Sequence, residues 1–396
     1  MKLFEKGELK LLWPFYFQAL FGSIFYIYTA FSIPYFLKLG FNLTQIGIIA
    51  AVLAISLFIF QIPTGIIADL IGRKKMLRFG YLFTGILFSL LFFFKDFYII
   101  LLLFVLLGFT QSLISGKDES WVVDLLLHEK RKDLIKDYYN KLNSILYLGA
   151  ICSGIIGAIL VKSFGLPIFL LSTGFAYLSG FFVFSFGKES FINNKKKIHK
   201  YFFNHTKKSF RYILHNKNLL LLILIAAFVS ICSSFSGSNM WNALFTKIGL
   251  KDYWFGYLFS AVSFFGFVIP LLNKKIVKKT GGEKKFFIFI LSFISLISIM
   301  VILFNSIFVL ILLFLLYSSL FFSYNPVRGY FFQNLISGKM RTTILGINNT
   351  FIQLVSALSL PLAGFAADKL GIKFSLLMGG LILIPSIILV LKIKKK

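Results

Sequence analysis

The sequence predicts an all-α polytopic membrane protein, with twelve transmembrane helices in two six-helix pseudo-symmetric bundles. Three observations predict it. The 396 residues are 58% hydrophobic and only 14% charged, with a mean hydropathy of +0.87, which leaves too little polar surface for a soluble domain. Apolar runs repeatedly reach the ~20 residues that cross a bilayer as a helix, far beyond the ~10 of a barrel strand. One long polar interruption, residues 188–217, parts those runs six and six.

In chain order the apolar spans fall near 12–37, 44–68, 76–94, 97–127, 139–161, 165–187, 218–246, 253–273, 285–304, 306–336, 342–367 and 372–391. The expected domains are an N-terminal bundle (1–187), a basic cytoplasmic linker (188–217) and a C-terminal bundle (218–396). The linker interleaves aromatic residues with lysines, which fits either an amphipathic segment on the bilayer surface or a solvated charge run. With the N-terminus inside, about 32 of the 42 Lys and Arg fall in cytoplasmic segments. Both termini are therefore expected in the cytoplasm, with the chain in the plasma membrane. The net charge of +28 then reports topology and attraction to anionic lipid rather than a nucleic-acid partner.

Cys152 and Cys232 lie in apolar spans as packing residues, not as a redox pair. His128, His199, His205 and His215 sit in or beside loops, so no intramembrane metal set is expected, and no cofactor. The first span lacks a small-residue cleavage site and is expected to be retained. No Ser/His/Asp set or Walker loop marks an enzyme.

Polar residues inside the spans are the candidates for function, because each is costly in lipid. The first span carries Gln18, Gly22, Tyr26 and Thr29 at helical spacing. The second ends in "GIIADLIGRKK": Gly65 permits close helix approach, Gly72 a tight turn, and Asp69 stands one turn before Arg73 if the helix continues. The fourth carries "QSLISGKDESWVVD". There Gln111, Ser115 and Asp118 share one stripe, while Lys117 and Asp124 lie two turns apart on another. A carboxyl held away from water takes up a proton more readily, so Asp118 or Glu119 is a candidate proton carrier. Pairing between helices near the membrane edge is the competing role. In the seventh span Ser234, Ser238 and Asn242 recur at i+4 beside Trp241, as on a water-lined face or a helix-packing face. The tenth carries Asn325, Arg328 and Asn334; Arg328 is expected either to face Asp118 or Glu119 or to snorkel to headgroups.

The halves also repeat weakly. "GAICSGIIGAILVKSFGLPIFLL" in the fifth span matches "SALSLPLAGFAADKLGIKFSLLM" in the eleventh, and inner loops with Arg131 and Arg341 precede them. Such duplication marks secondary transporters. Gly65-x-x-x-Asp69-x-x-Gly72-Arg73-Lys74 resembles the signature loop between helices 2 and 3 of the major facilitator superfamily, with Leu70 where the family is often basic. The resemblance implies alternating access with spans 1, 4, 7 and 10 lining the path. It also implies that Asp69 faces the start of the eleventh helix, after Arg341, and that Arg73 pairs with Asp124, as a cytoplasmic latch. Gly149, Ser153, Gly154, Gly157 and Ala158 resemble the small-residue antiporter motif of family exporters, with Gly154 at its proline position. Gly108 is preceded four residues earlier by Phe104, where such exporters often carry arginine. The resemblance thus implies a monomeric, proton-coupled exporter of a small-molecule substrate. A symporter or facilitator importing a sugar or other metabolite is the alternative. A membrane enzyme or non-transporting receptor is the alternative of another class.

Overall fold

The computed structural model describes residues 4–188, 209–336 and 341–393, and for Asp69, Arg341 and Thr342 the backbone alone. Residues 189–208, the bulk of the linker with His199 and His205, lie outside the described residues.

All regular structure among the described residues is helical. The first span is Glu8–Phe25 plus Tyr28–Lys38, the second Leu43–Ile71, the third Arg73–Leu90. The fourth is Phe97–Ile114 plus Lys117–His128, the fifth Leu134–Phe164, the sixth Ile168–Val183. After a helical stretch at 209–215 come the seventh, Lys217–Ser236 plus Ser238–Lys247, and the eighth, Trp254–Thr280. The ninth is Glu283–Met300, the tenth Ile307–Asn334, the eleventh Arg341–Leu370 and the twelfth Ile372–Leu391. Eleven of these twelve are long and apolar enough to cross a membrane. The exception is the third, which opens on Arg73, Lys74 and Lys75.

Three spans expected to run unbroken are interrupted, and this corrects the stripes drawn along them. In the first, Tyr26 and Ile27 leave helical geometry, separating Gln18, Gly22 and Tyr26 from Thr29. In the fourth, Gly116 adopts φ +72°, a conformation open to glycine at little cost, so Gln111 and Asp118 lie on different helices. In the seventh, extended Gly237 parts Ser234 from Ser238 and Asn242.

A break inside lipid frees carbonyls that no water can reach, so protein groups must donate to them. Neighbouring spans supply those groups. Ser172 and Ser153 donate to the Phe25 and Tyr26 carbonyls at 2.9 and 3.2 Å. Lys117 and Thr64 donate to the Ser112 carbonyl at 2.6 and 3.1 Å. Ser375 donates to the Phe235 carbonyl at 3.1 Å.

Contacts gather the chain into two compact units. The first is residues 1–41, 52–194 and 250–264; the second is 42–51, 195–249 and 265–396. In the first unit the first span packs on the fifth and the third on the sixth. Its core gathers Leu12, Phe15, Leu77, Trp121, Leu125 and Phe184, all nearly without exposure. Gly154 lies against Gly256 and Ser260, and the Ser260 hydroxyl donates to the Ile151 carbonyl at 2.6 Å. In the second unit the twelfth span packs on the seventh and ninth. There Asp368 caps the second span's first turn, accepting from the Leu43 and Thr44 amides at 3.0 and 2.8 Å and from the Thr44 hydroxyl at 2.6 Å.

Candidate functional site

The first unit encloses a cavity of about 330 Å³. The first span contributes Gln18, Gly22, Ser23 and Tyr26, and the fourth contributes Asp118 and Glu119. These two acids occupy the first turn of Lys117–His128, the helix that the Gly116 break creates. A helix start carries about half a positive charge, which suits carboxylates. Asp118 is half-buried and Glu119 more exposed. Sequence reasoning missed three more lining residues, Tyr81, Tyr138 and Tyr177, from the third, fifth and sixth spans. Their signal was an amphipathic phenol inside an apolar span, overlooked because attention fell on spans 1, 4, 7 and 10. The rings form a connected wall: Tyr177 lies 5.6 Å from Tyr81 and 6.1 Å from Tyr26, centroid to centroid.

The polar groups of the wall differ in how far they are already engaged. Gln18 donates to the Ala176 carbonyl at 2.9 Å and accepts from Ser179 at 3.2 Å. Ser23 donates to the Ala19 carbonyl at 2.5 Å. Glu119 accepts only a long 3.5 Å contact from Tyr139.

Several other acids of this unit have cations. Glu8, with no exposed surface, meets Lys141 at 2.7 Å and accepts from the Tyr16 hydroxyl at 2.7 Å. Arg73 pairs with Asp124 and donates to the Ser120 carbonyl at 2.7 Å. Lys38 meets Asp252 at 2.7 Å. Lys188 meets Glu129 at 2.5 Å and, outside the spans, holds that carboxyl below its ordinary range. No described Lys or Arg lies within the 4.0 Å of an ion pair from Asp118 or Glu119. Neighbouring Lys117 is 7% exposed and gives its ammonium to the Ser112 carbonyl.

The remaining candidates stand elsewhere. Gln111 and Ser115 do not line this cavity. Ser234 shares a 2.7 Å hydrogen bond with Ser359. Trp241 is fully enclosed against Phe245, Phe314 and Tyr317, and its indole N–H has no partner among the described residues. It is thus a core residue of the second unit, not an open wall. Asn242 is 7% exposed and Ser238 is exposed. Arg328 donates to Asn348 at 2.8 Å and stacks over Phe332, while Asn325 is exposed.

The signature loop also departs from its expected shape. The second span stops at Ile71 and Gly72 turns at φ +99°, so Asp69 and Arg73 do not share one helix. Gly65 has no described atom within 4 Å of where a Cβ would stand, so close helix approach does not explain it. The Asp69 side chain and the Arg341 side chain lie outside the described residues.

Broken helices around a cavity lined by carboxylates are features met in polytopic membrane transport proteins. A family model described as Major Facilitator Superfamily matches residues 15–360. The chain belongs to that superfamily and is an integral membrane protein. It is 26% identical over 271 residues to the MFS-type transporter YxaM of Bacillus subtilis, covering 66% of this chain and 65% of that one. It is 31% identical over 121 residues to the MFS-type transporter MJ1317 of Methanocaldococcus jannaschii, covering 31% and 29% of the two. The aligned region thus spans less than two thirds of either relative. Among solved structures, the fold is similar to a bacterial homologue of the iron transporter ferroportin (TM-score 0.74, 14% identity, 98% and 99% of the chains). It is also similar to a D-xylose-proton symporter (0.71, 13%, 97% and 98%).

Proposed function

We propose that the chain exports a small organic solute in exchange for protons, that the cavity of the first unit is a solute site, and that Asp118 and Glu119 carry the proton. One observation carries this reading: these carboxylates line the cavity with no ion-pair partner among the described residues, whereas Glu8, Asp124, Glu129 and Asp252 are each paired. A carboxylate in a permanent ion pair is costly to protonate; one facing a cavity is free to load and unload. Export is supported by the small-residue face of the fifth span, which resembles that of family exporters. The basic excess of the expected cytoplasmic segments supports a plasma-membrane location with both termini inside. A monomer is sufficient for this scheme, since the acids and the wall come from one chain.

The test uses reconstituted vesicles loaded with solute. Asp118→Asn or Glu119→Gln abolishes movement driven uphill by a pH gradient, while solute exchange at equal pH persists. Unchanged uphill transport in both variants overturns the assignment.

A further inference from the structure

We propose that the cavity selects a monovalent organic cation, an amine or quaternary ammonium with an apolar or aromatic body. The proposal rests on reading that cavity as a solute site, and three features of the wall lead to it.

The first is charge. Of 56 charged residues in the chain, 42 are Lys or Arg, yet among the described residues the charged groups lining the cavity are Asp118 and Glu119. The half-charge at their helix start and the adjacent Lys117 offset only part of the two negative charges. Lys117, the nearest cation in sequence, faces Ser112 and Thr64 and does not line the cavity. An anionic solute would meet repulsion here. A cation supplies the ion-pair partner that no described residue provides.

The second is the state of the neutral polar groups. Sugar and nucleoside sites recognise ring hydroxyls and base edges with amides that have donors and acceptors to spare. Gln18, the one amide of this wall, is engaged at both its nitrogen and its oxygen, and Ser23 spends its proton on its own helix. Most of the remaining hydrogen bonding lies with the phenols and the two carboxylates, and the carboxylates favour a charged N–H over a neutral hydroxyl.

The third is the aromatic surface. Tyr26, Tyr81, Tyr138 and Tyr177 line the same cavity as the carboxylates. Ring faces attract cations that are weakly hydrated, ammonium groups above all. About 330 Å³ lies at the small end of the ~300–1,000 Å³ typical of ligand sites, so the body of the solute is compact. A small inorganic cation would leave this apolar space unused.

Purified full-length protein is titrated at neutral pH with three probes of one shape: 2-phenylethylammonium, 2-phenylethanol and phenylacetate. Binding is followed by thermal stabilisation and by competition against radiolabelled benzyltrimethylammonium. The expected order is ammonium tighter than alcohol by at least about tenfold, with phenylacetate not bound. The Asp118→Asn, Glu119→Gln double variant loses that preference. Equal affinity for ammonium and alcohol, preference for phenylacetate, or no binding of either cation at millimolar concentration overturns the proposal. The wild-type comparison decides it even where the double variant does not fold. Flux measured in parallel separates the two readings. Selective cation binding without protein-dependent flux removes the transport reading of the cavity alone. Proton-coupled flux of an uncharged or anionic solute, lost in Asp118→Asn, removes the cation reading alone.

Discussion

At the residue scale, the surroundings of each acid separate fold from function. Glu8 is an acid wholly inside the protein, and Lys141 and Tyr16 satisfy it there. Lys141→Met leaves a buried carboxylate without its cation, which costs about 3–5 kcal/mol. The melting temperature in detergent falls accordingly, and Glu8→Gln on that background restores most of it. An unchanged melting temperature in the single variant would show that the pair contributes nothing to stability. Asp118 and Glu119 have no such partner among the described residues. The sequence displayed them as intramembrane acids, with Arg328 as a candidate partner. In the structure Arg328 donates to Asn348, and Lys117 turns to the Ser112 carbonyl. Tyr81, Tyr138 and Tyr177 were illegible for a related reason: a tyrosine facing a cavity and one facing lipid headgroups are the same letter.

At the element scale, the positions of the twelve spans follow from hydropathy, while their breaks do not. Gly116 and Gly237 sit in apolar runs that any hydropathy window reads straight through. Each break is stable because another span offers a side chain to a freed carbonyl, as Ser153 and Ser172 do for the first span. That pairing is long-range and leaves no local trace. The turn between the second and third spans was legible as a motif, yet its geometry was not, since Gly72 ends one helix and starts another. Across it, Arg73 reaches Asp124 and the Ser120 carbonyl, tying the third span to the fourth. We propose that Gly65, Asp69, Gly72, Arg73 and Asp124 act together as a conformational latch. Arg73→Gln then slows solute exchange several-fold with membrane insertion unchanged. Exchange at the wild-type rate would remove the latch.

For the whole molecule, composition carried the argument furthest. A chain this apolar and this basic reads directly as a polytopic membrane protein, and its weak internal repeat as a transporter. The site was legible in part. The fourth-span acids and first-span Gln18 and Tyr26 meet at one cavity, whereas the seventh-span stripe dissolved once Trp241 proved to be core. What unites these findings is a distribution of charge: abundant cations outside the cavity, and two unmatched carboxylates within it. Exchange of solute for protons follows if one pair of groups serves both in turn.

Simultaneous recording of solute and proton movement in vesicles containing purified wild-type protein tests that claim most directly. A pH dye sealed inside reports protons, and a panel of lipophilic cations, sugars, amino acids and carboxylates supplies the solute. The account predicts protein-dependent proton flux opposite to solute flux for one class of compound, and no proton flux in Asp118→Asn, Glu119→Gln vesicles. Protein-dependent solute movement without any accompanying proton movement would contradict it.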